Sequence, residues 1–183
     1  MAAMIILPLT AMEKRHKTVI VSENKTVSSS DGVISVMKSD SGKVEKTSER
    51  EYVVGSLAAE MSMDSHDEAL KAQAVACYTY ALYIKENSNK DELNGADISD
   101  DSTTHQGYLN KEARKKKWGD KFDTYEAKAE KIADSVAGKK MTYNGKPILA
   151  AYHELSTGKT ESAETVWGEK IPYLQSVTSA GDK

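Results

Sequence analysis

The chain has 183 residues, of which 39% are apolar and 29% charged, and its formal net charge at pH 7 is -3. This composition is typical of a soluble globular protein with one domain. The small negative charge gives no overall attraction to nucleic acid or to anionic lipid, so a nucleic-acid partner is not expected.

The chain opens with an apolar stretch, MAAMIILPLTAM. The stretch is too short to span a bilayer, and it lacks the basic leader of an intact signal peptide. Two interpretations stay open: residues 1–16 are the remnant of a membrane anchor, or they contribute a first strand. On this basis we divide the chain into a leader, 1–16, and one domain, 17–183.

The beginning of the domain has a strand pattern. Two runs, KTVIVSEN and GVISVMKS, alternate apolar with polar side chains, which predicts two strands. The second run is followed by SDSG at 39–42, which is a turn signal. We therefore expect a small β-meander ahead of the first helix.

Glu60 is the candidate catalytic residue. Ser48 and Glu51 form a capping box for a helix that ends near Glu60. Leu57 and Val53, three and seven residues earlier, place Glu60 on the apolar face of that helix. A carboxyl group packed against aliphatic side chains is favoured in its neutral form, which a general acid needs. Glu60 is therefore the candidate proton donor, and the alternative is a solvated residue at a helix end.

A second capping box, Ser65 with Glu68, predicts a helix that runs to about Lys85. The residues expected to face the core from this helix are Leu70, Val75, Tyr78 and Leu82. Cys77, the single cysteine, lies in the same helix and is expected to pack as a small apolar residue. Residues 87–102 are rich in Asn, Asp, Ser and Gly, which predicts a long surface loop.

Two further helices are predicted in the second half. Asn110 is expected to cap a short basic helix at 111–117, whose charges indicate a solvated face. Asp123 with Glu126 forms another capping box, for a helix that ends at Gly138. The core-facing residues of that helix are expected to be Ala129, Ile132 and Val136.

Asn144-Gly145, between two alternating runs, predicts a two-residue hairpin turn. The second strand leads to STGKTES, where Ser156, Thr157 and Gly158 supply hydroxyls and a flexible backbone. Such a strand end is a common place for substrate contacts, and a plain loop is the alternative. We predict an α+β fold, in which small antiparallel sheet elements and packed helices form a cleft that the hairpin closes on one side.

Other site chemistries have weaker support. The histidines show no HxxxH spacing, so no metal site is expected; they are His16, His66, His105 and His153. Ordinary glycosidases need two carboxylates, and Asp64, Glu154 or Glu161 could accompany Glu60. Because no local spacing fixes such a pair, a mechanism with one carboxylate is considered as well.

Six blocks occur in an order that resembles a known family. They are EYVVGSLAAEM, EALKAQAVACYTYAL, THQGY, MTYNGKPILAAYH, STGKTES and PYLQSV. From about Val33 to the last residue, the chain resembles the stage II sporulation protein D family, also called the SpoIID or LytB (amidase enhancer) domain. It departs from the family pattern at Ser62, Glu154-Leu155 and Gln175, positions that concern substrate contacts more than Glu60.

The resemblance implies that Glu60, in the AAEM block, is the catalytic glutamate. The implied substrate-binding residues lie in later blocks and are Lys71, His105, Ser156, Thr157, Tyr173 and Gln175. Some relatives hold zinc through cysteines, but here Asp101, Ser102 and Thr103 precede His105 and no cysteine is near. Neither zinc nor another cofactor is therefore expected.

Active members of the family are similar to lytic transglycosylases that cut between N-acetylmuramic acid and N-acetylglucosamine in peptide-free glycan. They leave a 1,6-anhydromuramic end. Glu60 would protonate the glycosidic oxygen and then take the proton of the sugar's own 6-hydroxyl as that oxygen closes onto C1. Lys71 would orient the sugar or, alternatively, pair with Glu60.

Two other functions stay open. One is a non-catalytic glycan-binding module that enhances a partner amidase, and the other is hydrolysis with a second carboxylate, which leaves a reducing end. The resemblance implies an extracytoplasmic protein tethered to the membrane, whose partners are glycan strands and other engulfment proteins. The chain ends at SVTSAGDK, before a glycine-histidine block of the family, so we expect a C-terminally truncated catalytic domain.

Overall fold

The computed structural model describes residues 19–22, 32–153, 156–179 and 181, and these confirm the α+β class. The strands are β1 (Ile20–Ser22), β2 (Val33–Met37), β3 (Val44–Ser48), β4 (Ile98–Ser99), β5 (Lys140–Tyr143) and β6 (Lys146–Pro147). The helices are α1 (Glu49–Glu60), α2 (Asp67–Asn87), α3 (Lys111–Trp118), α4 (Phe122–Ser135) and α5 (Ala163–Trp167), with a 3-10 turn at Gly119–Lys121. The predictions for residues 1–16 lie outside the described residues. No helix within the described ranges is long and apolar enough to cross a membrane.

The strands form two three-stranded sheets, with the orders β3-β2-β4 and β1-β5-β6. The predicted meander is therefore wrong for β1, which pairs with β5, placing Ile20 opposite Thr142. The antiparallel pair of β2 and β3 is as expected. The other edge of β2 is occupied by β4, whose Ile98 lies opposite Val36 in a parallel register, so β1 pairs elsewhere.

The segment predicted as a surface loop at 87–102 is partly core. Ala96 and Ile98 are fully buried, and Ile98 belongs to β4. Asp97 between them is buried as well, and its carboxylate accepts hydrogen bonds of 3.0 and 2.9 Å from the amide and hydroxyl of Ser35. Lys90 adds an ion pair of 2.8 Å. The polar composition of this segment predicted a loop. Composition does not show that polar side chains form hydrogen bonds with one another inside the fold.

Asp97→Asn should destabilise the fold at neutral pH, and the difference from wild type should shrink in acid. Burial alone raises the pKa of Asp97, but Lys90 and the Ser35 donors outweigh it, so the net pKa is lowered. A lowered folded-state pKa adds stability above the unfolded value of about 3.9, and this stability is lost as the pH falls through the folded-state value. Urea unfolding across the acid range would measure the change. The exposed Asp91→Asn is the control, and a pH-independent Asp97→Asn difference would contradict the assignment.

Helices α1 and α2 begin close to their predicted starts. Ser48 caps α1 as predicted, since its hydroxyl accepts a hydrogen bond of 3.1 Å from the amide of Glu51. The cap of α2 is His66 instead of Ser65, because the His66 ring nitrogen Nδ1 accepts the Glu68 amide at 3.2 Å. The imidazole of His66 therefore accepts the capping hydrogen bond that the Ser65 hydroxyl was expected to accept.

The buried stripe of α2 is rotated from the predicted one. Its fully buried apolar members are Leu70, Ala74, Cys77 and Ala81, spaced four, three and four residues apart. Of the predicted face, Leu70 is buried, whereas Val75, Tyr78 and Leu82 are half-buried. The small side chains allow close packing against α1, and Cys77 packs as a small apolar residue as predicted.

The start of α4 differs from the prediction. The helix begins directly after the 3-10 turn, and the side chain of Lys121 makes no capping bond. Glu126, expected in a capping box with Asp123, is instead buried beside Arg114. The helix ends at Ser135, before the predicted Gly138. Its expected core residues Ala129, Ile132 and Val136 are buried, which confirms that face.

The lysines of the basic helix are exposed, as the predicted solvated face requires, but Arg114 is an exception. Its side chain is fully buried, and it binds Glu126 through two hydrogen bonds, 2.8 Å from Nε and 2.6 Å from Nη2. Its Nη1 contacts the Leu109 carbonyl at 2.9 Å and Glu51 at 2.8 Å. Asn110 caps this helix as predicted, at 3.1 Å. One arginine thus joins α1, α3 and α4.

Arg114→Ala should lower the free energy of unfolding by about 3–5 kcal/mol, because it leaves the carboxylate of Glu126 buried without its partner. Chemical denaturation would measure this loss. Lys115→Ala, an exposed neighbour on the same helix, should change stability by no more than about 0.5 kcal/mol. If the two variants were equally stable, the buried pair would not hold these helices together.

The predicted hairpin is confirmed. Asn144 and Gly145 have φ angles of 54° and 79°, the left-handed conformations that a type I′ turn needs. They join β5 and β6 with Tyr143 opposite Lys146. The chain then continues from Ile148 to His153 towards the end of α1.

Candidate active site

Glu60 is the last residue of α1 and is half-buried. Leu57 and Ala58, in the same last turn, are fully buried. One carboxylate oxygen, Oε1, accepts a hydrogen bond of 2.6 Å from the backbone amide of Gly107. The carboxylate is therefore held in one orientation by a donor that lies 47 residues away in the sequence.

Gly55 allows the segment that carries Gly107 to pack closely against α1. The amide of Leu109 donates to the Gly55 carbonyl at 3.2 Å. The ring of Tyr108 stacks on Tyr52 at 5.4 Å between centroids and 5° between planes. A Cβ on Gly55 would lie 2.4 Å from Tyr108 Cε2. This close approach brings Gly107 to the end of the helix that carries Glu60.

Gln106 and Gly107 fix the same segment from inside. The buried amide nitrogen of Gln106 donates to the Tyr52 hydroxyl at 2.7 Å and to the Cys77 carbonyl at 3.0 Å, so it joins α1 to α2. A Cβ on Gly107 would lie 3.0 Å from Glu60 Oε1 and 2.9 Å from Ala59 Cβ. A side chain at position 107 would therefore press on the carboxylate.

Tyr152 approaches Glu60 from the chain that follows the hairpin. Its hydroxyl is within hydrogen-bonding reach of the Glu60 carboxylate and of the Cys77 thiol, although 37% of the residue is exposed. Burial of the hydroxyl end, next to Cys77 and Glu60, raises the pKa of Tyr152. Burial likewise raises the pKa of Cys77 to about 12. The phenol stays protonated near neutral pH and can donate to Glu60.

Tyr152 also lines a groove of about 600 Å³, which we call the Tyr152 groove. Four predicted substrate-binding residues lie together in its wall: Ser156, Thr157, Tyr173 and Gln175. Glu60 lies behind Tyr152, outside the lining of the groove. Tyr152 is therefore a neighbour of the predicted acid and also lines the groove that contains the predicted hydroxyl loop.

Two of these wall residues are held by backbone contacts. The Tyr173 hydroxyl accepts a hydrogen bond of 3.1 Å from the amide of Leu149, and its ring lies 5.2 Å from that of Tyr143. The Gln175 side chain donates to the Ile171 carbonyl at 2.7 Å. Tyr173 therefore fastens the end of the hairpin to the far wall of the groove.

Lys71 and His105 do not line the Tyr152 groove. Lys71 pairs with Glu68 of the same helix at 2.7 Å, and this contact raises the pKa of Lys71. His105 lines a smaller cavity of about 280 Å³ beside Asn87 and Leu93, where burial lowers the pKa of His105. The ion pair that the structure gives Lys71 is therefore with Glu68, and the suggested pair with Glu60 stays a hypothesis.

The candidate second carboxylates are scattered. Asp64 accepts a hydrogen bond of 2.7 Å from Tyr125 on the exposed surface, and Glu161 lies in the wall of the groove. Glu154 lies outside the described residues. Among the residues that the structure describes, no group of three or more His, Cys, Asp or Glu is placed to hold a metal ion.

Sequence reasoning missed three residues of this site: Gly55, Gly107 and Tyr152. A glycine inside an otherwise good helix usually marks a packing constraint, and Gly55 carried that signal. Gly107 and Tyr152 lie inside the blocks THQGY and MTYNGKPILAAYH, but neither block shows by itself that it reaches Glu60.

Comparison with known proteins matches residues 37–143 to the model of the SpoIID family, described as stage II sporulation protein. The matched region contains both Glu60 and Gly107, and it covers more than half of the chain. The chain belongs to the SpoIID family. This confirms the family resemblance identified in the sequence.

The SpoIID chain is 40% identical over 162 residues to stage II sporulation protein D of Bacillus subtilis (strain 168), which covers 87% of the chain and 46% of that protein. It is 36% identical over 179 residues to the protein of the same name from Bacillus amyloliquefaciens, covering 93% of the chain and 51% of the relative. A third relative, named amidase enhancer, from Bacillus subtilis (strain 168), is 29% identical over 109 residues, 58% of the chain and 12% of that protein. The chain thus spans about half the length of the two sporulation proteins it matches.

Gly55→Ala should destabilise the SpoIID chain by about 1–3 kcal/mol, the usual cost of overpacking. In an open helix the same change would stabilise by about 1 kcal/mol. Here the new methyl group meets the Tyr108 ring at 2.4 Å and the Leu109 carbonyl oxygen at 2.6 Å. Denaturant unfolding would measure the cost, which should be smaller in a Tyr108→Ala background. A variant as stable as wild type would show that the segment does not depend on this close contact.

Proposed function

We propose that the SpoIID chain is a lytic transglycosylase domain that cleaves the bond between N-acetylmuramic acid and N-acetylglucosamine in peptide-free peptidoglycan strands. The observation that carries the proposal is the setting of Glu60. A single half-buried carboxylate is held by the Gly107 amide, and it lies next to Tyr152, which lines a groove that contains several neutral polar groups. The relatives named for sporulation and for amidase enhancement support a role at the cell wall.

One carboxyl group is enough for this reaction. Neutral Glu60 gives its proton to the glycosidic oxygen as the bond from that oxygen to C1 of the muramic acid breaks. The resulting carboxylate takes the proton of the 6-hydroxyl of the same sugar, and the 6-oxygen forms the new bond to C1. Because the nucleophile belongs to the substrate, no second carboxylate and no attacking water are needed, and the closure is intramolecular.

The donors around Glu60 serve the second half of this cycle. The Gly107 amide donates to the carboxylate, and the protonated Tyr152 hydroxyl lies next to it as a second available donor. They orient it while it waits for the proton of the 6-hydroxyl, and they cost no rearrangement at that moment because the fold already fixes them. Gly107 and Tyr152 act as positioning residues in this proposal.

The sugar contacts are proposed for the groove wall. Ser156, Thr157, Tyr173 and Gln175 offer hydroxyl and amide groups that match the neutral hydroxyl groups of a glycan. For His105 we propose an indirect role, since its amide donates to the Asp101 carbonyl at 2.8 Å just before Gln106 and Gly107. A glycan substrate would place the chain outside the cytoplasmic membrane, where other engulfment proteins are the proposed partners.

A non-catalytic glycan-binding module that enhances a partner amidase is the second candidate. The relative named amidase enhancer favours it. The exposed side chains of Val166, Trp167 and Val177 in the groove wall also suit binding. This candidate would bind the same glycan in the same groove. It differs from the transglycosylase because it would leave the glycan uncleaved.

Glu60→Gln should reduce the formation of anhydromuramic ends by roughly 10²–10⁴-fold, the usual contribution of a general acid and base. The test incubates purified peptide-free glycan strands with each variant and identifies the ends by mass spectrometry. Asp64→Asn, which changes an exposed carboxylate bonded to Tyr125, should keep the wild-type product.

Other products would decide against the proposal. Reducing ends that vanish in Glu161→Gln as well as in Glu60→Gln would mean hydrolysis with two carboxylates. Bound but uncleaved glycan in every variant, including wild type, would favour the binding module.

A further inference from the structure

The short helix α5 turns an apolar face towards the Tyr152 groove. Ala163, Val166 and Trp167 are spaced i, i+3 and i+4, so they share one face, and all three line the groove. Ala163 is buried, but Val166 is 58% and Trp167 54% exposed. Most helices bury their apolar face in a core, but on α5 the side chains of Val166 and Trp167 are exposed to the groove.

The framework around α5 is fixed by hydrogen bonds. Ser162 caps its start by accepting from the Thr165 amide at 3.2 Å, and Gly168 ends it in a left-handed conformation with φ of 75°. The Ala163 amide donates to the Leu174 carbonyl at 3.0 Å, which ties the helix to the opposite wall of the groove. Trp167 is thus an exposed side chain on an ordered backbone.

We propose that Trp167 is a stacking platform for one sugar ring of the glycan strand. This inference rests on the function proposed above and deepens it, since it assigns a binding subsite separate from Glu60. A pyranose ring has an apolar face of C–H groups and an edge of hydroxyls. The flat indole covers the apolar face, while its amphipathic character suits a partly wet site.

The surroundings of Trp167 favour a neutral sugar over other occupants. The lining of the groove offers five hydroxyls and one side-chain amide: Ser156, Thr157, Thr160, Ser162, Tyr173 and Gln175. Its two charged lining residues, Lys159 and Glu161, have opposite signs. The lactyl carboxylate of a peptide-free muramic acid would call for an excess of cations, and a lipid chain for a continuous apolar wall, so the ring proposed for this subsite is the uncharged N-acetylglucosamine of the strand. The volume of about 600 Å³ is in the range of ligand sites of about 300–1,000 Å³.

The subsite is expected to contribute to binding and not to the chemical step. Tyr152 is the lining residue that reaches Glu60, whereas Trp167 lies on α5, outside the contacts of the carboxylate. Stacking on a sugar away from the broken bond stabilises the ground state and the transition state equally. Such an interaction changes KM and leaves kcat unchanged.

Calorimetry with the 183-residue chain in the Glu60→Gln background would test the subsite, using purified peptide-free glycan strands as the probe. Trp167→Ala should bind about tenfold more weakly, which corresponds to about 1.4 kcal/mol. Trp167→Phe should restore most of the affinity, because it keeps an aromatic face. Ile20→Ala removes an equally exposed apolar side chain, 61% exposed on β1, and should bind as the background does.

Intrinsic fluorescence gives an independent readout. The chain has two tryptophans, and Trp118 is partly buried against the core. Glycan should shift the emission of the Glu60→Gln chain, and this shift should be lost in Trp167→Phe even though binding persists. A shift that survives in Trp167→Phe would overturn the assignment.

The outcomes separate this inference from the catalytic proposal. If wild type forms anhydromuramic ends and Trp167→Ala binds and cleaves like wild type, the subsite is wrong and the transglycosylase stands. If no chain cleaves glycan but binding depends on Trp167, the subsite stands and the catalytic proposal is wrong. If no variant binds glycan, both are wrong.

Discussion

The scaffold of the site depends on one buried guanidinium group. Arg114 is fully enclosed, and its donors are matched by Glu126, Glu51 and the carbonyl of Leu109. A buried charge is tolerated only when its partners are in place, so the arginine requires α1, α3 and α4 to take up their mutual positions together. Leu109 follows closely after Gly107, whose amide donates to Glu60. The position of the Glu60 carboxylate therefore also depends on the contacts of Arg114.

Two distant parts of the chain meet at that carboxylate. The Gly107 amide belongs to the packed side of the domain, and Tyr152 belongs to the chain that leaves the hairpin. The first contact is half-buried, while Tyr152 also lines the groove.

Local signals in the sequence predicted local structure well. The Ser48 cap and the Asn144 turn depend on neighbours within three residues, and both are present as predicted. Burial of Arg114 could not be predicted, because a lysine-rich helix shows nothing of the carboxylates that meet it across the fold. Glu60 was predicted as the acid through its place on an apolar face and through the family blocks, and its role stays a prediction. Its partner Gly107 was not predicted, because Gly107 lies 47 residues away in the sequence and reaches Glu60 through a close helix contact that depends on Gly55.

The position of Cys77 has a consequence for the behaviour of the protein under oxidising conditions. Its thiol is completely buried on α2, next to Tyr152, and its raised pKa keeps it from forming the reactive thiolate. Intermolecular disulfides and alkylating reagents can reach this sulfur only after the helix or the chain above it opens. The rate of thiol labelling in the native protein therefore measures opening motions of the fold around Cys77 and Tyr152.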